Sequence, residues 1–569
     1  MMAVVELWPP ILFLLGGFLA VLLPAGALRS AVLCLVPIGA AVALYTGPQE
    51  VMFAAHLAGF DIVLARHDDL SQPFALLFCF GALLTLIFAF HSRSRLEQCA
   101  TMLYAGGALA TVLAGDLVTL FVAWEAMTLT SVFLIWARGT DGAYAAGFRY
   151  LLAQIASGLI LLAGMVIVYA NTASLAFDGF DLGTPGVWLI LIAFGIKAGF
   201  PLCNNWMQDG YSSATLTGTV TLSIFTTKAA IYALARGFAG EDVLIWIGVA
   251  MALYPALYAL IENDLRRLLI YSLNSQLGFM VVGIGIGGTL GVAGAVGYAM
   301  GSIVYHTLLI MGVSAVFYRA GTAKASELGG LGRIMPITCV LTLVGALSIA
   351  SVPLFAGYAG KSVILSAVGK AHLFWPWLLL YLAAVSALAH SALRVMGDIF
   401  AGEKGPGVAN TVREAPPHML IAMALAALAS IGFGALPHTL YALLPGDIDY
   451  TPFETGHLIA QGELILFGLL AFVAAQRLGI WPVPKRGINL DTDLVYRSHG
   501  YRLILAGAAS VAQLWNGLMA RGQQRVDHFI AQIYKSHGPH GLLARTWSAG
   551  AMVFWMALLL GVTLLLNYL

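Results

Sequence analysis

Charged side chains are scarce in this sequence. They make up 10% of the 569 residues, against about 25% in a soluble domain. No stretch is long and polar enough to fold as a separate soluble domain, and a net charge of +1 supplies no basic surface for a nucleic acid. With 60% hydrophobic residues and a mean hydropathy of +0.89, the composition indicates a polytopic membrane protein.

Motifs for metals and cofactors are also lacking. The five cysteines are scattered without Cys-x-x-Cys spacing, which argues against an iron–sulfur cluster, a zinc site and a disulfide framework. No nucleotide, flavin or quinone motif is evident, so we expect no cofactor and no metal, and any redox chemistry must come from partner subunits. A basic N-terminal region is missing too, since Glu6 is the only early charge. Residues 1–28 are therefore interpreted as a retained first span rather than a signal peptide.

Long apolar runs fill the rest of the chain. Runs of about 20 residues match a bilayer crossed by α-helices, and their continuity excludes a β-barrel. They predict an all-α polytopic membrane protein with about sixteen transmembrane helices, numbered in chain order. The spans lie near 7–28, 30–47, 70–91, 99–115, 117–137, 148–171, 187–208, 213–236, 243–262, 267–288, 292–318, 335–366, 373–400, 418–436, 457–477 and 547–567.

The loops between these spans alternate in charge. Loops after odd-numbered spans carry basic residues, such as Arg93, Arg149 and Arg333, whereas loops after even-numbered spans carry acids, such as Asp178 and Asp447. By the positive-inside rule, the odd loops face the cytoplasm and both termini lie on the outer, periplasmic side. Because a miscounted span would scramble this alternation, the pattern supports the count.

Residues 496–536 have a different pattern. Apolar side chains recur there at helical spacing, and basic residues fill the remaining turns. A helix of this kind lies along a membrane surface, and the last span then anchors its far end. An ordinary cytoplasmic linker helix is the alternative. The apolar set is Val511, Leu514, Trp515, Leu518, Val526, Phe529, Ile530 and Ile533.

Four charged side chains lie inside apolar runs, far from polar loops: Glu125, Lys197, Lys228 and Lys361. A charge at membrane depth costs roughly 2.5–3.5 kcal/mol on insertion scales. Such residues usually face an interior cavity, pair with one another and mark an ion or proton route. One carboxylate and three amines on four spans make ion translocation the leading hypothesis. A satisfied structural carboxylate is the alternative for Glu125.

Two of the lysines occur where a helix is expected to break. Pro201 follows Lys197 in span 7, and Pro353 precedes Lys361 in span 12. The two spans are five apart, and interrupted spans at corresponding positions of two halves point to a transport site built from inverted repeats. We therefore expect two inverted five-helix repeats, with Lys361 standing in the second where Lys197 stands in the first.

Lys228 and His306 are further candidates for the same route. Lys228 follows a run of hydroxyl side chains that can hold water within a helical bundle. His306 is alone in its apolar span, so a hydrogen bond in the core is the alternative to a role in proton transfer. The hydroxyl run comprises Thr215, Thr217, Thr219, Thr221, Ser223, Thr226 and Thr227.

Together these residues resemble one family. It comprises the antiporter-like subunits of respiratory complex I, of Mrp-type cation/proton antiporters and of group 4 hydrogenases. The stretch around Glu125 is similar to the family's fifth-helix signature, Lys197 with Pro201 to its first broken helix, and Lys361 to its second. The resemblance covers roughly residues 70–400. Its other motifs include Trp206, Asp209, Thr227-Lys228-Ala-Ala-Ile-Tyr232 and Asp264-Leu-Arg-Arg-Leu-Leu-Ile-Tyr271.

The resemblance implies a polar axis along the membrane that relays protons. In that axis Glu125 and Lys197 form an ion pair, Lys228 is the middle relay, and Lys361 exchanges the proton at the end. His306 lies between the last two. The chain departs from the family pattern at Ile310, where a lysine is common four residues after the histidine. It also departs at Asn204–Gln208, Arg266 and Asn274.

The resemblance also implies how the chain is divided. Residues 1–98 are N-terminal helices, 99–240 a first half-channel repeat and 241–400 a second. Residues 401–480 are C-terminal helices, and 481–569 hold the lateral amphipathic helix and its anchor. The implied location is the bacterial inner membrane, with many crossings.

Several functions remain open at this point. A proton-translocating D-type subunit of an Mrp antiporter is favoured, because Lys361 rather than a glutamate occupies the second broken helix. The alternatives are a membrane-arm subunit of complex I or a group 4 hydrogenase, a subunit serving inorganic carbon uptake, and a scaffold that no longer conducts. Expected partners are other membrane subunits, the lipid bilayer, and protons with sodium as the alternative ion. If catalysis is involved, the chain is at most the translocase component of an NADH:quinone oxidoreductase-like complex.

Overall fold

The computed structural model describes residues 8–47, 51–57, 59–479, 481, 501–537 and 548–568. The chain divides into two compact units, residues 1–489 and residues 490–569. The first unit begins with α1 (Pro9–Leu22) and α2 (Ala27–Thr46), followed by an antiparallel hairpin of β1 (Val51–Leu57) and β2 (Phe60–Arg66). This hairpin is not among the predicted elements.

Eight helices follow the hairpin, and side-chain caps fix where several of them begin. Ser94, Asp116 and Thr140 accept hydrogen bonds from backbone N–H groups at the starts of α4, α5 and α6. The helices are α3 (Ser71–Phe88), α4 (Arg95–Leu113), α5 (Leu117–Trp136), α6 (Asp141–Thr172), α7 (Val187–Ala198), α8 (Asn205–Ser213), α9 (Leu216–Leu222) and α10 (Thr226–Gly237).

The next helices include two that are almost completely buried. About 94% of the apolar windows of α12 and α13 is buried, so these helices lie at the centre of the bundle. The series is α11 (Asp242–Ile261), α12 (Leu265–Ile286), α13 (Gly288–Ala320), α14 (Pro336–Ile349), α15 (Ala356–Lys370), α16 (Phe374–Ala387), a π-helical turn (Leu388–Arg394), α17 (Val395–Phe400), α18 (Pro417–Ala435), α19 (Pro437–Tyr441) and α20 (Thr455–Arg477).

Spans 7 and 12 are both interrupted by a short gap. The first gap, residues 199–204, separates α7 from α8, and the second, residues 350–355, separates α14 from α15. Each gap is six residues long by subtraction of these bounds. Left-handed backbone occurs at matching places in the two gaps, and a proline stands between each pair. The residues are Gly199 (φ 80°) and Leu202 (φ 69°) in the first, and Ser351 (φ 58°) and Leu354 (φ 77°) in the second.

The elements before each gap also correspond. Asp116 caps α5 and forms an isolated antiparallel bridge with Ala176 after α6, and Asp264 caps α12 and forms one with Lys324 after α13. The long helices α6 and α13 have 32 and 33 residues. The two halves therefore share one order of elements, and their inverted relation stays a prediction.

Contacts between loops agree with the alternation of the spans. Arg66, after span 2, pairs with Asp178, after span 6, at 2.8 Å. Arg394, at the end of span 13, donates to the backbone oxygen of Leu260, at the end of span 9, at 2.7 Å. The first contact joins two loops that follow even-numbered spans, and the second joins the ends of two odd-numbered spans, as expected for segments on the same side of the membrane. The assignment of the two sides to cytoplasm and periplasm stays a prediction.

Among the described residues, twelve helices are long and apolar enough to cross a membrane, and α1, α7 and α14 are shorter apolar helices. The prediction of a multi-pass helical membrane protein is therefore confirmed. The number of sixteen spans stays a prediction, because α1, α4 and the two broken spans are not among the twelve. The last described helix, Ala549–Tyr568, is one of the twelve.

The second unit consists, in its described part, of α21 (Tyr501–His537) and α22 (Ala549–Tyr568). At 37 residues, α21 has a length of roughly 55 Å, and its apolar residues repeat at helical spacing as predicted. Residues 496–500 and 547 of the predicted segments lie outside the described residues. That α21 lies along a membrane surface stays a prediction.

Candidate functional site

Lys197 occupies the last turn of α7, just before the first gap. Its side chain is fully buried, and Nζ donates hydrogen bonds to the backbone oxygen of Trp124 at 2.7 Å and to Oγ1 of Thr128 at 3.0 Å. The same nitrogen lies 4.4 Å from the centre of the Trp124 ring. Gly199 ends the helix in the left-handed conformation that suits glycine. A carbonyl, a hydroxyl and an indole face thus offset the loss of water around this amine.

Glu125 lies next to Trp124 on α5 and is half-buried. Its carboxylate occupies the space that Gly158 leaves on α6, since a Cβ at position 158 would meet Oε1 of Glu125. That Oε1 atom is buried without a hydrogen-bond partner. Glu125 and Lys197 interact electrostatically. The direct ion pair that the resemblance implies is not formed between these two described residues, because Lys197 donates to Trp124 and Thr128 instead.

Lys228 lies near the start of α10, behind a third interruption that the sequence did not reveal. Helix α9 ends at Leu222 and α10 begins at Thr226, so the backbone oxygen of Ser223 is free to accept a hydrogen bond from Lys228 Nζ at 2.8 Å. Three of the preceding hydroxyls, those of Thr219, Thr221 and Ser223, donate to backbone oxygens. Thr227 Oγ1 is buried without a hydrogen-bond partner. That this run holds water stays a prediction.

Lys361 lies on α15, after the second gap. Its Nζ donates to the backbone oxygen of Ile349 at 3.2 Å and lies 5.1 Å from the centre of the Phe279 ring. When the gaps are superimposed by their prolines, Lys361 takes the position of Asp209 and Ile349 takes that of Lys197. The expectation that the two lysines are equivalent is wrong, because a proline marks a gap without marking the side on which the charge lies.

His306 lies in the middle of α13 and is buried. Its Nε2 atom is 2.8 Å from the backbone oxygen of Leu269 on α12, which makes Nε2 the protonated nitrogen of a neutral ring. Nδ1 is buried without a hydrogen-bond partner. One ring nitrogen of His306 is thus hydrogen-bonded, whereas the other has no partner and can accept a proton, which is the arrangement that a proton carrier requires.

His390 is a polar core residue that was not predicted. It lies in the π-helical turn and is fully buried, and Nδ1 is 2.8 Å from Oγ of Ser391. Ser391 in turn is 2.7 Å from Oγ of Ser272 on α12. A lone histidine in an apolar run was the available signal, and it was the same signal that singled out His306.

An open cleft of about 360 Å³ lies beside α15. Hydroxyl groups of three α15 residues line it at helical spacing, and Ser362 is next in sequence to Lys361. The cleft therefore brings solvent-accessible space to the helix that carries this lysine. Its polar lining comprises Tyr358, Ser362, Ser366, Lys370, Trp377, Tyr381, His457 and Gln461.

The five predicted site residues and His390 fall into two electrostatic sets. The first is Glu125 with Lys197. In the second, Lys228 acts on His306, and His306 and Lys361 both act on His390. No hydrogen bond joins the two sets directly among the described residues. In that part of the chain, no three His, Cys, Asp or Glu residues are grouped as metal ligands would be.

A family model described as NADH:quinone oxidoreductase/Mrp antiporter, transmembrane, matches residues 114–386. All five predicted site residues lie in this range. The A-type subunit of the Na(+)/H(+) antiporter of Alkalihalophilus pseudofirmus is 27% identical over 66% of this chain and 52% of its own length. The L-type subunit of the F(420)H(2) dehydrogenase of Methanosarcina mazei is 27% identical over 60% of this chain and 58% of its own. The chain thus spans about half the length of these relatives.

Formate hydrogenlyase subunit 3 of Escherichia coli is 26% identical over 73% of this chain and 75% of its own length. Two solved complexes share the fold. A chain of the membrane-bound sulfane sulfur reductase, an archaeal respiratory membrane complex, has a TM-score of 0.70 at 22% identity and covers 98% of this chain and 99% of that one. A chain of the Mrp complex from Dietzia has a TM-score of 0.70 at 21% identity, with 82% and 98% covered.

Proposed function

Because residues 114–386 match the family model described as NADH:quinone oxidoreductase/Mrp antiporter, transmembrane, we propose that this chain is a proton-translocating, antiporter-like subunit of a multisubunit membrane complex. Protons pass along a relay of buried side chains that includes Glu125, Lys197, Lys228, His306 and Lys361. In this proposal residues 99–240 and 241–400 are the two half-channels. The other regions, 1–98, 401–480 and 481–569, contact partner subunits.

The observation that carries the proposal is the arrangement at the first gap. Lys197 is a fully buried amine that interacts with the carboxylate of Glu125 without forming a direct ion pair. In an interior of low permittivity, an ammonium beside a carboxylate and the neutral pair left after proton transfer differ little in free energy. A small movement of the lysine therefore decides which state is populated. A purely structural lysine would need no such neighbour.

The gap supplies the freedom for that movement. The regular hydrogen-bond ladder of α7 ends there, where Gly199 N–H donates to the backbone oxygen of Ile196 at 3.2 Å and Trp206 Nε1 donates to the same oxygen at 2.9 Å across the gap. Lys197 exchanges a proton toward Glu125 on one side. On the other side it exchanges one toward the polar groups that precede Lys228, with the proton count conserved at each transfer.

The test is a proton-flux measurement on the complete assembly in sealed vesicles. Lys197→Ala and the longer Lys197→Met remove the amine, and both should abolish proton-coupled transport while the complex still assembles. The control is Lys404→Ala, since Lys404 is an exposed loop lysine and its loss should leave flux unchanged. Normal proton flux in assembled Lys197 variants would contradict the proposal and favour a scaffold subunit that keeps the fold without conducting protons.

The identity of the complex is a second question. Assignment as the D-type subunit of an Mrp antiporter, with cation exchange against protons, is the first candidate. A subunit of a redox-driven respiratory complex is the second. Its support is that Formate hydrogenlyase subunit 3 and the sulfane sulfur reductase chain are matched over 75% and 99% of their own length, while the Mrp complex chain, matched over 98%, supports the first candidate equally. Vesicles driven by a sodium or potassium gradient alone distinguish the two, since proton flux without an added electron donor is expected only of the antiporter.

The location is part of the same proposal. We place the chain in a bacterial inner membrane with the basic loops inside and both termini outside. A cysteine-labelling experiment with a reagent that does not cross membranes checks this, because a cysteine introduced at exposed Lys404 should stay protected in intact cells.

A further inference from the structure

One face of α12 runs past both candidate proton carriers of the second half. Leu269, Ser272, Gln276 and Phe279 stand at positions i, i+3, i+7 and i+10, so they form a single stripe along the helix. Leu269 accepts the hydrogen bond of His306, and the Phe279 ring lies under Lys361. Ten residues separate these two anchor points, a distance of roughly 15 Å. This span is too long for direct proton transfer between the two side chains.

Two polar contacts fill the stripe between the anchors. Tyr298 donates to Oε1 of Gln276. Ser272 is bonded to Ser391, whose hydroxyl lies 2.8 Å from Nδ1 of His390. His390 is therefore tied to the turn of α12 that follows the anchor of His306. It interacts electrostatically with His306, Lys361 and Arg394, and these are the charged or titratable groups that act on it.

A local departure from the α-helical conformation places His390 beside α12. Residues Leu388–Arg394 form a π-helical turn between α16 and α17, and such a turn inserts one extra residue that re-aims the side chains on either side. Arg394 fixes the end of the turn, donating to the backbone oxygens of Ala259 and Leu260 at 3.0 and 2.7 Å. π-helical turns are rare and occur mostly at functional sites.

The same region holds buried polar atoms without partners. His390 Nε2, His306 Nδ1 and Gln276 Nε2 are all buried and lack a hydrogen-bond partner among the described residues. Unpaired buried polar atoms are rare in folded proteins, and ordered water is the usual partner where several occur together. The stripe therefore has the polar groups needed to hold water between the histidines and Lys361.

We propose that His390 is a proton carrier that connects His306 with Lys361 through ordered water. The imidazole accepts a proton on one ring nitrogen and releases one from the other, so it ends neutral with its tautomer exchanged and nothing is oxidised or reduced. This inference rests on the proposed function, since it extends the same relay.

The test replaces His390 by glutamine in the complete assembly. Glutamine keeps the volume and a hydrogen bond to Ser391 but cannot carry a proton through the ring. Because a positioned acid–base group contributes about 100-fold or more, His390→Gln should lower proton flux at least tenfold. Ser391→Ala, which leaves the imidazole in place but removes its hydroxyl partner, should lower it less. The control is His438→Gln, because His438 is exposed on α19.

The outcomes separate this inference from the proposed function. If wild-type vesicles show no proton flux, the proposed function fails and His390 has no relay to serve. If wild type and His438→Gln conduct and an assembled His390→Gln conducts equally, His390 is a structural residue and the inference is overturned. Should His390→Gln fail to assemble, Ser391→Ala decides, since unchanged flux in that variant contradicts a role for the hydroxyl-linked imidazole.

Discussion

The gap between α7 and α8 and the gap between α14 and α15 can be compared within one chain. Both are six residues long, both place left-handed residues three apart around a proline, and both directly follow a short apolar helix. They differ in the side that carries the amine. Lys197 precedes its gap, whereas Lys361 follows its own. The same backbone arrangement therefore carries a buried lysine before the gap in one half and after the gap in the other.

The surroundings of the two amines differ as well. Lys197 has a carboxylate, Glu125, within electrostatic range, whereas no carboxylate among the described residues interacts with Lys361. Lys361 has instead a backbone oxygen and two aromatic rings, with the histidines beyond. The first half is thus organised around an acid–base pair and the second around neutral hydrogen-bonding groups. The halves should respond differently to loss of charge.

The largest effect is expected from Glu125→Gln, which removes the acid of the first half and keeps its shape. We expect proton flux to fall roughly 100-fold, the usual contribution of a positioned acid–base group. Flux in vesicles is the measurement, with Glu403→Gln at an exposed loop position as the control. A Glu125→Gln complex that conducts normally would show that the first half, like the second, works without a carboxylate.

A smaller effect is expected from Gly158→Ala, which tests the space that the carboxylate occupies. The added methyl would meet Oε1 of Glu125, so the side chain must turn away from α6. We expect flux to fall about tenfold, by analogy with overpacking costs of about 1–3 kcal/mol. Gly142→Ala on the same helix is the matched control, because nothing lies within 4 Å of the position of its added methyl. Equal flux in the two variants would contradict the placement of Glu125.

Much of this architecture can be predicted from the sequence. Isolated charges in apolar runs marked Glu125, Lys197, Lys228 and Lys361, and proline with glycine marked both gaps. The dipeptide Pro-Leu occurs in both gaps, at Pro201 and Pro353, and aligning on it would have revealed that the lysines are not equivalent. The error arose from aligning the charges instead of the backbone signals.

Other features leave no clear trace in the sequence. A π-helical turn needs one extra residue in a helix, and no composition marks it, so the link from His390 to α12 could not be predicted. Leucine at a positive φ, as at Leu202 and Leu354, runs against its own preference and is imposed by the surrounding helices. The free carbonyl that holds Lys228 likewise depends on an interruption without proline.

The third prediction exchanges the first left-handed residue of each gap. Gly199→Ser should destabilise the protein by about 1–3 kcal/mol, the cost of a side chain in strained backbone, and its Cβ would lie 3.0 Å from Oδ1 of Asn274. Ser351→Gly should change stability by less than about 1 kcal/mol, because relief of strain is offset by greater freedom of the unfolded chain. Thermal unfolding of the two purified variants is the measurement. Equal shifts would mean that the gaps are strained alike.

The smallest effect is expected at Asp209, the counterpart of Lys361 in the first half. Its carboxylate pairs with Arg149 at 2.7 Å, and the two side chains are 19% and 40% exposed. Pairs this open to solvent contribute about 0.2–1 kcal/mol, so Asp209→Asn should leave flux within about twofold of wild type and lower thermal stability slightly. Vesicle flux and thermal unfolding are measured on the same preparation. This result would mean that burial among polar partners, rather than position relative to the gap, decides which charged residue takes part in the relay. A loss of flux in Asp209→Asn as large as that in Glu125→Gln would reverse this conclusion.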